Sequence, residues 1–170
     1  MATRRLSILS GLSPDTSGEC FPEPYSILAT NDQWGGMTYR FGSNNAAQPT
    51  VEHGIHGWFV VPETYVGTSV LVLFWTATIT SGNVQWLFRY RARAAGEDMD
   101  ATGQDESVSA ADAAPGTAHL LQRHTDVLTE GNFTKGDLVE FYLARDGAAG
   151  GDTMAGSAIL FEALFEYDDV

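Results

Sequence analysis

The sequence predicts an all-β fold: eight antiparallel strands in a sandwich, preceded by an extended N-terminal arm. Three observations lead there. Apolar and polar residues alternate with a period of two over 84–93, 138–145 and 158–167, as in strands with one buried face. From residue 37 onward, short apolar runs are separated by clusters of Gly, Pro, Asn and Asp, the chemistry of turns. No stretch sustains the 3.6-residue period of a helix. The 170 residues suit one domain, at about 150 residues per domain. A chain of this length buries roughly 70% of its unfolded surface without help from metals or disulfides.

Residues 1–35 lack either period and are rich in Ser, Pro and Gly. They read as an arm, because the run Pro22-Glu23-Pro24 cannot donate to a central ladder. Phe21, Tyr25, Ile27, Leu28 and Trp34 are too many large apolar groups for a solvated tail, so the arm is expected to dock. Residues 36–170 form the sandwich domain. Its strands are expected at 37–41, at 55–61 (ended by Pro62) and at 69–80. The third is apolar on both faces and therefore covered on both. Ser81-Gly82-Asn83 supplies turn chemistry before 84–93, where Val84, Trp86, Phe88 and Tyr90 face the core and Arg89, Arg91 and Arg93 face away. Strands at 106–110 and 120–128 follow. In 138–145, Val139, Phe141 and Leu143 point inward and Glu140 and Tyr142 outward; in 158–167, Ile159, Phe161, Phe165 and Tyr167 are expected inward. A jelly-roll order places the fourth strand beside the seventh, bringing Arg89 and Arg91 near Glu140 as cross-strand charge pairs. If Leu71, Leu73 and Trp75 lay on an uncovered face, a lone monomer would expose a large apolar patch. A homo-oligomer, with a trimer first, is the expectation, and Phe21, Tyr25, Trp34, Leu71, Leu73 and Trp75 are its candidate interface residues.

Composition excludes more functions than it names. Twenty-two acidic residues against nine basic ones give a net charge of −13. A field of that sign repels phosphate and argues against nucleic-acid or anionic-membrane partners. No run of 18 apolar residues suggests a transmembrane helix, and the start of the chain is too broken for a secretory leader. The lone Cys20 excludes an intrachain disulfide and a multi-cysteine zinc site.

No constellation carries a reaction, so the chain reads as a non-enzyme without cofactor or metal. His53 and His56 are three apart, which sends their rings to opposite faces of a strand rather than to one metal. Pro115-Gly116-Thr117-Ala118-His119 has the wrong order for a jelly-roll metal motif. No G-x-S-x-G or cysteine–histidine pattern marks a nucleophile. Asp146 and Asp152 lack the D-x-D-x-D spacing of a calcium loop. The acidic loop 97–106 reads as solvated. Two weaker features remain: the stripe Arg89, Arg91, Arg93 as an anion or sugar-acid site, and Trp34, Trp58 and Tyr65 as a sugar-stacking platform.

The run Gly131-Asn132-Phe133-Thr134-Lys135-Gly136-Asp137-Leu138-Val139 is followed by Arg145-Asp146-Gly147, Asp152-Thr153-Met154-Ala155-Gly156 and Phe165-Glu166-Tyr167. On these residues, 58–170 resembles small jelly-roll virion proteins of tailed viruses, with the architecture of trimeric domains of the tumour-necrosis-factor type. The resemblance implies a capsid decoration protein on the virion surface, bound as an oligomer to the major capsid protein or another virion protein. The alternative is a receptor- or carbohydrate-binding head of a tail fibre, or a lectin-like binding module. A cupin-like metalloenzyme is the third reading, which metal analysis tests.

Overall fold

The computed structural model describes residues 1–9, 12–14, 20–26, 35–42 and 48–170. Among them lie β1 (Ala2–Ser7), β2 (Ser13–Pro14), β3 (Cys20–Ser26), β4 (Gly35–Phe41), β5 (Glu52–Val60) and β6 (Tyr65–Ala77). They continue as β7 (Asn83–Arg93), β8 (Glu106–Ala113), β9 (Gln122–Val127), β10 (Leu138–Asp146) and β11 (Ala158–Asp169). The first sheet runs β3-β4-β11-β6-β9, with β1 also paired to β11; the second runs β2-β5-β10-β7-β8. All pairings are antiparallel. The fold is an antiparallel jelly-roll sandwich, as the alternation predicts.

The strand count exceeds the expected eight because the described parts of the arm belong to the sandwich. β11 has two edges. β6 occupies one along its length, while β4 pairs with Ala158, Ile159 and Leu160 and β1 with residues 164–169 on the other. β1 shows no apolar alternation, and charge complementarity accompanies its register: Arg5 bonds Glu166 at 2.7 Å and Arg4 bonds Asp169 at 2.6 Å. β3, with its two prolines, sits at the sheet edge, where a missing N–H leaves no central ladder broken.

The core is aromatic. Trp75 and Trp86 meet edge to face at 5.7 Å, Phe59 lies 5.0 Å from Phe165, and Tyr90 stacks on Phe133 at 4.9 Å. Leu71, Leu73 and Trp75 are in this core, fully buried by the chain's own second sheet. That corrects the expectation that a second copy must cover them. The opposite side of β6 carries Val72, flanked in register by Thr125 and Leu164, and Phe74, flanked by Arg123 and Glu162. Neighbouring side chains on the same sheet face therefore cover much of it.

The inward set of the last strand is also corrected. A bulge between Leu160 and Glu162 shifts the register against β6. An extra residue reverses the phase of alternation. Tyr167, Phe165 and Ala163 face the core as the period requires, but beyond the bulge Leu160 and Ala158 join the core cluster rather than Phe161 and Ile159. Ile159 is buried as expected, though outside that cluster. The turn at 81–83 does not close a hairpin; it carries the chain from the first sheet to the second. Gly82 has φ +86°, and an added Cβ would lie 2.6 Å from the Thr153 carbonyl oxygen, so both conformation and space demand glycine.

The edge strands β9 and β8 are tied together across the sandwich. His124 Nε2 lies 2.9 Å from Asp126 Oδ2, its Nδ1 lies 3.5 Å from Asp112 Oδ2, and Trp75 Nε1–H donates to the same Asp112 oxygen at 2.8 Å. Burial opposes the charged imidazolium, but hydrogen bonding and attraction from both carboxylates prevail and raise the His124 pKa from 6.5 to about 9. The unfolded chain loses this proton near 6.5 and the folded chain near 9, so the clamp's contribution is complete below the lower value and disappears as pH rises through the upper one. Thermal melts should show wild-type stability falling across that interval, and His124→Gln should flatten the fall. Parallel curves for the two proteins would remove the clamp from the account.

A candidate binding face on the second sheet

The outward side chains of β5, β10 and β7 form a shallow, aromatic and polar surface. Along β5, Ile55 and Phe59 alternate inward while His56, Trp58 and Val60 alternate outward and are exposed. Trp58 is 62% exposed, although a tryptophan ring favours removal from water. Antiparallel register sets Trp58 beside Glu140 and Glu140 beside Arg91; one step along, His56 lies beside Tyr142 and Tyr142 beside Arg89. Neighbouring strands are about 4.8 Å apart, so these six side chains occupy one compact patch.

Gly54 shapes this patch. The Tyr142 ring lies across it so closely that an added Cβ would sit 2.2 Å from Cε2. Glycine inside a strand here marks the approach of a ring rather than a bend. Lying flat, Tyr142 comes 4.7 Å from the His56 ring centroid, and the Arg89 guanidinium carbon is 5.9 Å from its own centroid. The groove enclosed by His56, Arg89, Arg91, Gln104, Glu140 and Tyr142 has a volume of about 140 Å3.

Every arginine of the stripe has a carboxylate partner. Arg89 reaches Glu52 with a two-pronged fork, Nη1 to Oε2 at 3.0 Å and Nη2 to Oε1 at 2.7 Å. Arg91 Nε donates to Glu140 at 2.8 Å, and Arg93 Nη1 lies 3.4 Å from Asp105. The expected pairing of Glu140 thus occurs with Arg91, whereas Arg89 leans the other way, past the Tyr142 ring, to Glu52. Arg91 also donates to the carbonyls of Met99 and Ala101. The Ala92 N–H bonds the Asp105 carboxylate at 2.7 Å, so the loop of residues 94–105 is anchored to the sheet and walls the groove. Past Leu138 the surface continues into a hollow of about 260 Å3 bordered by Arg93, Gly96, Met99 and Gly136. Behind this wall, Asn132 Nδ2 donates to the Tyr90 hydroxyl at 3.0 Å, and that hydroxyl donates to Glu106. Burial and the Glu106 carboxylate hold the phenol well above its ordinary pKa.

The remaining candidates are placed differently. His53 is buried and His56 exposed, on opposite faces as their spacing predicts. Tyr65 is buried and shares a 2.8 Å hydrogen bond with Ser69, so it joins no surface platform. Trp34 lies outside the described residues. Phe21 is exposed on the edge strand β3, and Tyr25 belongs to the same strand, opposite Gly36. Asp152 is buried against Arg145, and Asp146 Oδ1 accepts the N–H groups of Ala148 and Ala149, each at 3.1 Å. Among the described residues, no group of three or more His, Cys, Asp or Glu side chains converges as a metal site.

No protein-family model matches the sequence, and neither does any curated protein. In structure, the chain is similar to a family 35 carbohydrate-binding module from Clostridium thermocellum, with a TM-score of 0.56 and 12% identity over 99% of each chain. It is also similar to the CBM22-1 xylan-binding domain from Paenibacillus barcinonensis, with a TM-score of 0.51 and 12% identity over 99% of this chain and 94% of that one. A GH51 α-L-arabinofuranosidase, bound to arabinose, aligns with a TM-score of 0.52 and 16% identity. That alignment covers 94% of this chain and 23% of the arabinofuranosidase. What these proteins share with this chain is the jelly-roll sandwich.

Proposed function

We propose that this protein is a non-catalytic carbohydrate-binding domain, with its glycan lying on the outward face of the second sheet. The exposure of Trp58 beside the His56–Tyr142 ring pair carries this reading. A sugar ring presents C–H groups on its faces and hydroxyls around its rim. Aromatic rings suit the first, and fixed donors and acceptors suit the second. Trp58, Tyr142 and the Arg–carboxylate pairs offer both kinds of group within one patch. The fold shared with carbohydrate-binding modules supports the reading. The turn sequences that suggest a virion role instead build the Arg145–Asp152 closure and the approach to β10. Those are structural tasks in this sandwich and give a capsid partner no support.

Affinity electrophoresis through gels containing soluble xylan, mixed-linkage β-glucan, mannan, galactan or arabinan, or the acidic polymers polygalacturonate or alginate, tests this reading. At least one polymer should retard the protein. Gly54→Ala should weaken that retention about tenfold, a change worth 1.4 kcal/mol, because its methyl displaces the far end of the Tyr142 side chain. The fold should survive, since the ring can swing outward. Failure of every neutral and acidic polysaccharide to retard the protein would overturn the reading. Unchanged retention of Gly54→Ala would move the site off this sheet.

A further inference from the structure

We propose that Glu52 and Glu140 are specificity-determining residues that restrict this face to neutral sugars and make it reject uronates. The inference rests on the carbohydrate-binding reading and deepens it. Three outward arginines on one strand would ordinarily attract anions, since a guanidinium offers a planar fork that fits a carboxylate. Here each is already engaged by the chain itself, Arg89 by Glu52, Arg91 by Glu140 and Arg93 by Asp105.

The fork of Arg89 closest to the ring pair is closed by both oxygens of Glu52. A uronate carboxylate could take that fork only by displacing Glu52, leaving a partly buried carboxylate beside the incoming one. Arg91 is saturated further, because besides Glu140 it holds the carbonyls of Met99 and Ala101. The chain's net charge of −13 adds a long-range repulsion of the same sign. Sugar hydroxyls meet no such barrier. A guanidinium–carboxylate pair keeps outward N–H donors and carboxylate lone pairs at a fixed separation, and neighbouring hydroxyls can accept from one and donate to the other. The pairs therefore form a neutral, two-handed recognition surface beside Trp58 and Tyr142.

The test uses matched oligosaccharide pairs that differ only in oxidation at C6: cello- and cellouronic, manno- and mannuronic, galacto- and galacturonic hexamers. Affinities are measured by calorimetry for the wild-type chain and for Glu52→Gln, which keeps the size of the side chain and removes its charge. The wild-type chain should bind the neutral member of its preferred pair at least about tenfold more tightly. Glu52→Gln should strengthen binding of the uronate by about the same factor, with a gain that fades as salt screens it. Its affinity for the neutral member should change less. A melting curve unchanged from wild type would show that the variant is folded, so the ratio of the two affinities reports specificity alone. A wild-type preference for uronates, or a ratio unmoved by Glu52→Gln, would overturn the assignment while leaving carbohydrate binding intact. No binding to any hexamer or polysaccharide would overturn both.

Discussion

Asp152→Ala is expected to destabilise the protein by roughly 3–5 kcal/mol, the range for removing one partner from a buried ion pair. Both side chains of the Arg145–Asp152 pair are completely shielded from solvent. Arg145 Nε and Nη2 donate to the two Asp152 oxygens at 2.7 and 2.8 Å, and the same guanidinium donates to the carbonyls of Met154 and Gly156. Asp152 in turn accepts the Gln85 N–H at 3.1 Å. One pair thus fastens the loop between β10 and β11 to the start of β7. Removing the carboxylate leaves a guanidinium charge buried among carbonyls, without a counter-ion and with no route to water. Urea denaturation measures the loss. The double variant Arg145→Leu/Asp152→Ala should lose less than the two single losses combined, because the charges act as a unit. A single-variant loss below about 1 kcal/mol, the scale of an exposed pair, would mean that the loop opens to hydrate the arginine.

This pair also shows why some features were legible in the sequence and others were not. The alternation in β7 and β10 reveals their inward faces, and the jelly-roll order then brings Arg89 and Arg91 near Glu140, because those inferences need only local periodicity and strand order. That Arg91 alone takes Glu140 is settled by side-chain packing. Arg145 closes the strand 138–145 on the side where Val139, Phe141 and Leu143 point inward, but Asp152 reads as part of an ordinary Gly-rich loop, and nothing local pairs the two as a buried charge pair. The phase of β11 fails at Phe161 because a bulge is fixed by the partner strand. β1 has no apolar period; its position depends on pairing with the far end of the chain. The candidate site was visible only in pieces. Trp58 stood out as an aromatic residue, but β5 carries apolar residues on both faces, so its exposure could not be read. Tyr65, grouped with it by composition, belongs to the core. Glu52 gave no signal as the partner of Arg89, because the pair spans β5, β10 and β7 and exists only once three strands are assembled.

Trp58→Ala is expected to weaken glycan binding by roughly thirtyfold or more, the consequence of losing about 2 kcal/mol at an aromatic hot spot. Stability should change by no more than about 0.5 kcal/mol, as for ordinary surface substitutions. The two expectations separate function from folding because of where the ring lies. Trp75 and Trp86 are buried between the sheets, and truncating either would remove core volume at a cost of roughly 3–5 kcal/mol. Trp58 presents most of its surface to solvent, so its removal leaves no cavity and exposes no buried polar group. Its retention as a large exposed ring is explained if a ligand covers it. Trp58→Phe should recover part of the lost affinity, since a smaller ring still offers an apolar face. Calorimetric titration with the polysaccharide that retards the wild-type chain, paired with thermal melts, reads both effects. Undiminished binding by a folded Trp58→Ala variant would remove the central aromatic residue from the site. An equal loss of stability and binding would instead assign Trp58 a packing role.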